Sequence, residues 1–242
     1  MIKGIGQLTE TLLGKYPQEK RMLISLFVAA FCLTGRHFGA DWFNYLISPG
    51  ELNALFPAND KSNLSELILW VSAQYLFLLI IPALFLFRVR PAAMHMFRMP
   101  NLQSLKIYGW LFLIMLLPLV WFSGKAGFPE TYPFIRFASS GVNWPAFVVW
   151  EALYLLQFVA IEFFFRGFLL SGLLPVFGES AIAVSILPYV MIHYGKPFPE
   201  IAGAFFAGWI LARLALRTGS IIPGILLHYA VALTMDLLSV FN

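Results

Sequence analysis

The chain has 242 residues, of which 60% are hydrophobic and only 12% charged, and its net charge is +4. A water-soluble domain carries about 25% charged residues, so most of this surface must face lipid. The modest positive charge sits in clusters beside apolar runs, which marks membrane-flanking loops and not a nucleic-acid site, and the sole cysteine, Cys32, excludes an internal disulfide.

Lys3, Lys15, Lys20 and Arg21 precede the first apolar run. That stretch is too long and polar for a signal peptide and is read as an interfacial segment feeding the first crossing. Met22 to Thr34 is short and needs its polar continuation through Arg36 and His37 to cross. Leu67 to Phe87 is uncharged and matches the roughly 20 apolar residues of a transmembrane helix. A basic loop holding Arg88, Arg90, Arg98 and Lys106 leads to Ile107–Phe122, flanked by Tyr108, Trp110 and Trp121 as interface anchors. Pro145 to about Leu174 is long enough to cross with a tilt, and it carries Glu151, Glu162 and Arg166. Ala181–Tyr194, Ile201–Leu216 and Ile221–Phe241 complete an all-α polytopic bundle of about seven transmembrane helices, with the interesting residues on the last four. No repeat or low-complexity tract divides it, so residues 1–242 read as a single integral membrane domain.

Basic residues set the orientation. A cytoplasmic N-terminus puts Arg88 to Lys106, Arg213 and Arg217 inside and Asp41, Glu51, Asp60 and Glu66 outside. A bacterial plasma (inner) membrane is the simplest address. Pro82 and Pro118 read as tolerated kinks whose freed carbonyls neighbours satisfy, whereas Pro188, five residues before His193, suggests a functional bend.

An ionisable group at mid-membrane costs about 2.5–3.5 kcal/mol and survives when paired or when it lines a wet cavity. Glu162 and Arg166 stand four apart, on one helix face, and can form a charge-assisted pair. His193 ends the fifth apolar run of the chain, His228 lies within the last, and Asp236 follows two turns later. Each alone has a packing explanation; a glutamate, an arginine and two histidines in the last third of one chain point to a shared site. Glu151 lies on the same face as Glu162 but about 16 Å away along the axis, too far for direct cooperation. Depth fits for Glu162 and His228. His193 falls toward the outer side unless Pro188 bends its helix or that helix starts below the inner surface.

The residue types narrow the chemistry. Neither His193 nor His228 begins the H-E-x-x-H of a zinc protease. An aspartyl dyad needs two membrane aspartates, and only Asp236 lies in an apolar run. Ser180 in "GES" lacks the glycine that would follow in a nucleophile elbow. There remains a glutamate and a histidine that activate water directly, with a second histidine steadying the oxyanion.

The segments "IEFFFRG", "YVMIH" and "LLHYAVA" resemble the three motifs of the CAAX protease and bacteriocin-processing (CPBP, Abi) family of glutamic intramembrane proteases. The pattern is Glu-Glu-x-x-x-Arg, then Phe-x-x-x-His, then His-x-x-x-Asn or Asp, and the resemblance covers about residues 145–240. Ile161 stands where the pattern has its first glutamate, Tyr189 where it has phenylalanine, and Ala232 four residues after His228, with Asp236 one turn further on. The resemblance implies an endopeptidase acting on a membrane-associated peptide or protein within the lipid bilayer, without metal or other cofactor and without a nucleic-acid partner. Glu162, His193 and His228 are the implied catalytic residues; Arg166, Tyr189 and Asp236 are the implied supporting ones. Ile161 keeps a rival open: a catalytically inactive relative serving as a membrane scaffold or in bacteriocin immunity. A proton-relaying transporter is a third reading, disfavoured by the absence of internal symmetry.

Overall fold

A computed structural model describes residues 18–47, 63–89, 96–125, 127–137 and 141–241. The expected interfacial N-terminal segment lies outside the described residues, as do Arg90, Glu51 and Asp60 of the loops. Among the described residues every regular element is a helix. In chain order they are α1 (Gln18–Leu46), α2 (Leu64–Tyr75), α3 (Ile81–Val89), α4 (Leu102–Ser123), the single turn α5 (Phe128–Thr131), α6 (Trp144–Glu162), α7 (Leu170–Phe177), α8 (Ala181–Met191), α9 (Phe198–Thr218) and α10 (Ile222–Phe241). Wider π-helical segments, bonded i to i+5, join α2 to α3 over Leu76–Ile80 and α6 to α7 over Phe163–Leu169.

Among the described residues, six helical stretches are long and apolar enough to cross a membrane: Gln18–Gly39, Leu64–Phe87, Leu102–Ser123, Trp144–Met191, Phe198–Thr218 and Ile222–Phe241. The expected all-α membrane bundle is therefore present, with one correction to the count of about seven. Ala181 to Tyr194 does not form a crossing helix of its own. Its helix, α8, has 11 residues and is about 16 Å long, half of a ~30 Å hydrocarbon core. It is the return arm of a hairpin. Gly178 adopts φ 53°, ψ −134° at the bend, a conformation that residues with a Cβ rarely enter. The chain there folds back so far that the Tyr189 ring lies 5.1 Å from that of Phe165.

Lipid-facing and core-facing residues separate as the bilayer demands. Phe27, Leu84, Trp110, Leu117 and Leu187 are more than half exposed, while Trp150, Phe163, Phe164, Phe168 and Leu170 are buried. With no hydrophobic drive between helices in lipid, close packing and polar contacts hold them together. Arg36 Nε of α1 donates to Gln74 Oε1 of α2 at 2.5 Å, and the Tyr75 hydroxyl donates to the Leu153 carbonyl of α6 at 2.5 Å. In the polar tail of the first crossing, Arg36 is thus paired inside the bundle while His37 is exposed.

The bundle has two distinct ends. At one, Glu179 pairs with Arg213 at 2.7 Å and the Ile221 amide donates to the Met96 carbonyl at 2.9 Å. At the other, the loop after α4 is tied down: Asn63 bonds the Phe134 carbonyl and the Arg136 amide, and the Tyr132 hydroxyl donates to Glu200.

Candidate functional site

Glu162 is the last residue of α6, 1% exposed, and the π-helical segment begins at the next residue. Such widened turns recur at functional sites because they re-aim side chains inside an otherwise regular helix. Its Oε1 takes two partners. Arg166 Nη1 stands 3.3 Å away on the same helix, and His228 Nδ1 of α10 stands 3.0 Å away. A carboxylate oxygen only accepts, so His228 donates from Nδ1 and keeps Nε2 as its remaining polar atom. Glu162 Oε2 faces Gly224, where a Cβ would lie 3.0 Å from that oxygen. Any larger residue at 224 would press on the carboxylate.

Tyr189 gathers the rest. Its ring lies 4.2 Å from the Arg166 guanidinium carbon, stacked face-on as a cation–π contact, 4.9 Å from the His193 ring and 6.3 Å from the His228 ring. The hairpin bend sets this level: α8 starts at the far end of the long helix and climbs back beside it. His193 follows the end of α8, and its Nδ1 lies 2.8 Å from the Tyr189 carbonyl. A carbonyl cannot donate, so the proton sits on Nδ1 and Nε2 carries the free lone pair.

Of the six residues singled out in the sequence, five converge: Glu162, Arg166 and His228 directly, His193 through Tyr189. Asp236 does not join them. It is fully buried on α10, but its Oδ2 accepts from Trp150 Nε1 at 3.1 Å, and its neighbour is Glu151 of α6. Two further residues shape the site without having stood out beforehand. Phe158, one turn before Glu162, lays its ring 4.4 Å from that of His228, and Gly224, one turn before His228, clears the space at Oε2. Both carry a signal, the i−4 spacing that puts them on the same helix face as a site residue.

Chemically, the cluster offers a carboxylate held by a guanidinium and an imidazole, a second imidazole with a free lone pair, and an aromatic wall. No group of three or more His, Cys, Asp or Glu able to hold a metal ion occurs among the described residues. The expected family is borne out by comparison: a family model described as Rce1-like, type II CAAX prenyl endopeptidase, matches residues 143–234. That span runs from the Asn143 side chain, which caps α6 by accepting from the Ala146 amide, through His228, and stops short of Asp236. No curated protein and no solved structure matches the chain.

Proposed function

We propose, from the match of residues 143–234 to a family model described as Rce1-like, type II CAAX prenyl endopeptidase, that this integral membrane protein is an active intramembrane endopeptidase. Its substrate is a membrane-associated peptide or protein. The observation that carries the reading is the convergence on Glu162: a buried carboxylate paired with both Arg166 and His228 from a separate helix. Glu162 Oε2 and His193 Nε2 would hold and deprotonate a water, which attacks the scissile carbonyl. His228, donating from Nε2 in its protonated form, would stabilise the oxyanion that develops. Arg166 keeps the carboxylate ionised against the cost of burial, and Tyr189 fixes the guanidinium by covering its face. Collapse of the tetrahedral intermediate returns the proton to the leaving amine. Metal plays no part in this proposal.

One observation favours the rival, an inactive relative acting as a membrane scaffold. Ile161, in place of the pattern's first glutamate, is only 6% exposed and packs in the apolar core. The two readings separate in a proteoliposome assay with candidate membrane-anchored substrates. Cleavage by the wild type, lost about a hundredfold or more in Glu162→Gln, His193→Ala and His228→Ala, is the expected result. Equal processing by all four proteins would end the glutamic-protease reading.

A further inference from the structure

Two carboxyl groups lie buried at a second level of the bundle, away from the cluster around Glu162. Asp236 of α10 is fully buried, Glu151 of α6 is 6% exposed, and the two are neighbours across the seam between these helices. Asp236 Oδ2 accepts from Trp150 Nε1 at 3.1 Å. The other three oxygens, Asp236 Oδ1 and both of Glu151, are buried with no hydrogen-bond partner. A carboxylate only accepts, and two of them side by side in apolar surroundings repel. One proton between them removes both problems, because the protonated group donates its O–H to the other. The nearby cations are engaged elsewhere: Lys196 pairs with Glu200 at 2.5 Å, and Arg136 donates to the carbonyls of Pro129 and Glu130. Glu200 is taken up by Lys196 and Tyr132, and Tyr154, Tyr229 and Tyr132 are the other titratable groups around the pair.

The two helices that meet here are the ones that carry the site. Glu162 ends α6, His228 lies on α10, and their 3.0 Å contact needs both helices in one register. The acid pair sits about 12 Å from His228 along α10 and about 16 Å from Glu162 along α6. Between the two levels runs a column of rings, Trp150, Tyr154, Phe158 and His228, with successive centroids 4.7, 4.7 and 4.4 Å apart. Directional hydrogen bonds fix a register that such apolar contacts do not. We propose that Glu151 and Asp236 share one proton and, with Trp150, clamp α6 to α10, acting as positioning residues that hold His228 against Glu162. Loss of the proton leaves two facing charges that push the helices apart, so the clamp is intact at low pH and fails as pH rises. The inference rests on the protease reading for its kinetic consequence only; the proton and the clamp are read without it.

The test uses the full-length protein in phosphatidylcholine nanodiscs. Infrared spectra at neutral pH should show a protonated-carboxyl C=O band that Asp236→Asn and Glu151→Gln each remove and Glu162→Gln leaves in place. Identical spectra for the wild type and both amide variants overturn the shared proton. An asparagine at 236 still accepts from Trp150 and offers Glu151 an N–H at every pH. Between about pH 7 and 9 the wild type should therefore lose kcat about tenfold with little change in KM, and its unfolding midpoint should drop, whereas Asp236→Asn holds both within about threefold and a few degrees. Asp236→Leu, which removes acceptor and proton together, should lower kcat about tenfold across the whole range. A parallel alkaline fall in wild type and Asp236→Asn overturns the clamp. The band and the midpoint pattern without any cleavage would sink the protease reading and leave the clamp standing; cleavage with the alkaline fall shared by both proteins would do the reverse.

Discussion

Glu162 can stay buried because its own charge is answered from two sides. Its Oε1 faces a guanidinium and an imidazole N–H, and the guanidinium in turn lies on the Tyr189 ring. Ile161, the next residue back, is turned by about 100° into the apolar core. A carboxylate there would enter hydrocarbon-like surroundings with Arg166 already engaged. Ile161→Glu should therefore lower the thermal unfolding midpoint in detergent and leave cleavage unchanged or reduced, since an unpaired buried charge costs several kcal/mol. A gain of cleavage in that variant would instead mark Ile161 as the change that silenced the protein. Much of this site was legible in the sequence: a glutamate and an arginine four apart must share a face, and three ordered motifs brought two histidines into consideration. Asp236, expected to stand in one turn beyond the motif position that Ala232 holds, instead accepts from the Trp150 indole N–H, 86 positions away, a pairing that spacing along one helix cannot reveal.

At the scale of elements, the hairpin Leu170–Met191 decides whether His193 reaches the site at all. An apolar run from Ala181 onward looks like a crossing, and hydropathy does not distinguish a spanning helix from a return arm packed beside one. What distinguishes them is Gly178, whose backbone angles permit the reversal. Gly178→Ala places a Cβ on a conformation that favours glycine alone, at a cost of about 1 kcal/mol or more. The variant should unfold at lower temperature and lose cleavage further than the drop in folded protein accounts for, because α8 positions both Tyr189 and His193. An unchanged midpoint with full activity would show that the bend does not depend on that glycine. The π-helical segment was equally invisible beforehand: "FFFRG" has no composition that separates a widened turn from an ordinary one.

Across the whole molecule, charge is sorted by end. Lys20, Arg21, Arg98, Lys106, Arg213 and Arg217 fall at the end marked by the Glu179–Arg213 pair, accompanied there by Glu19 and Glu179, whereas Lys125, Arg136 and Lys196 share the opposite end with Asp41, Glu66, Glu130 and Glu200. The contact of Ser25 with Gly172 places the start of α1 at the basic end. Replacing the expected fifth crossing helix by a short return arm leaves this sorting intact, since α8 still carries the chain back toward the far end before α9 begins. The positive-inside rule predicts that the basic end is cytoplasmic. Single-cysteine labelling decides it. Cys32 is fully buried, so Arg217→Cys and Lys125→Cys can each be probed with a membrane-impermeant maleimide in sealed vesicles. Position 217 should react only from the cytoplasmic face and position 125 only from the opposite one. The reversed pattern would overturn this orientation and place the Glu179–Arg213 end outside.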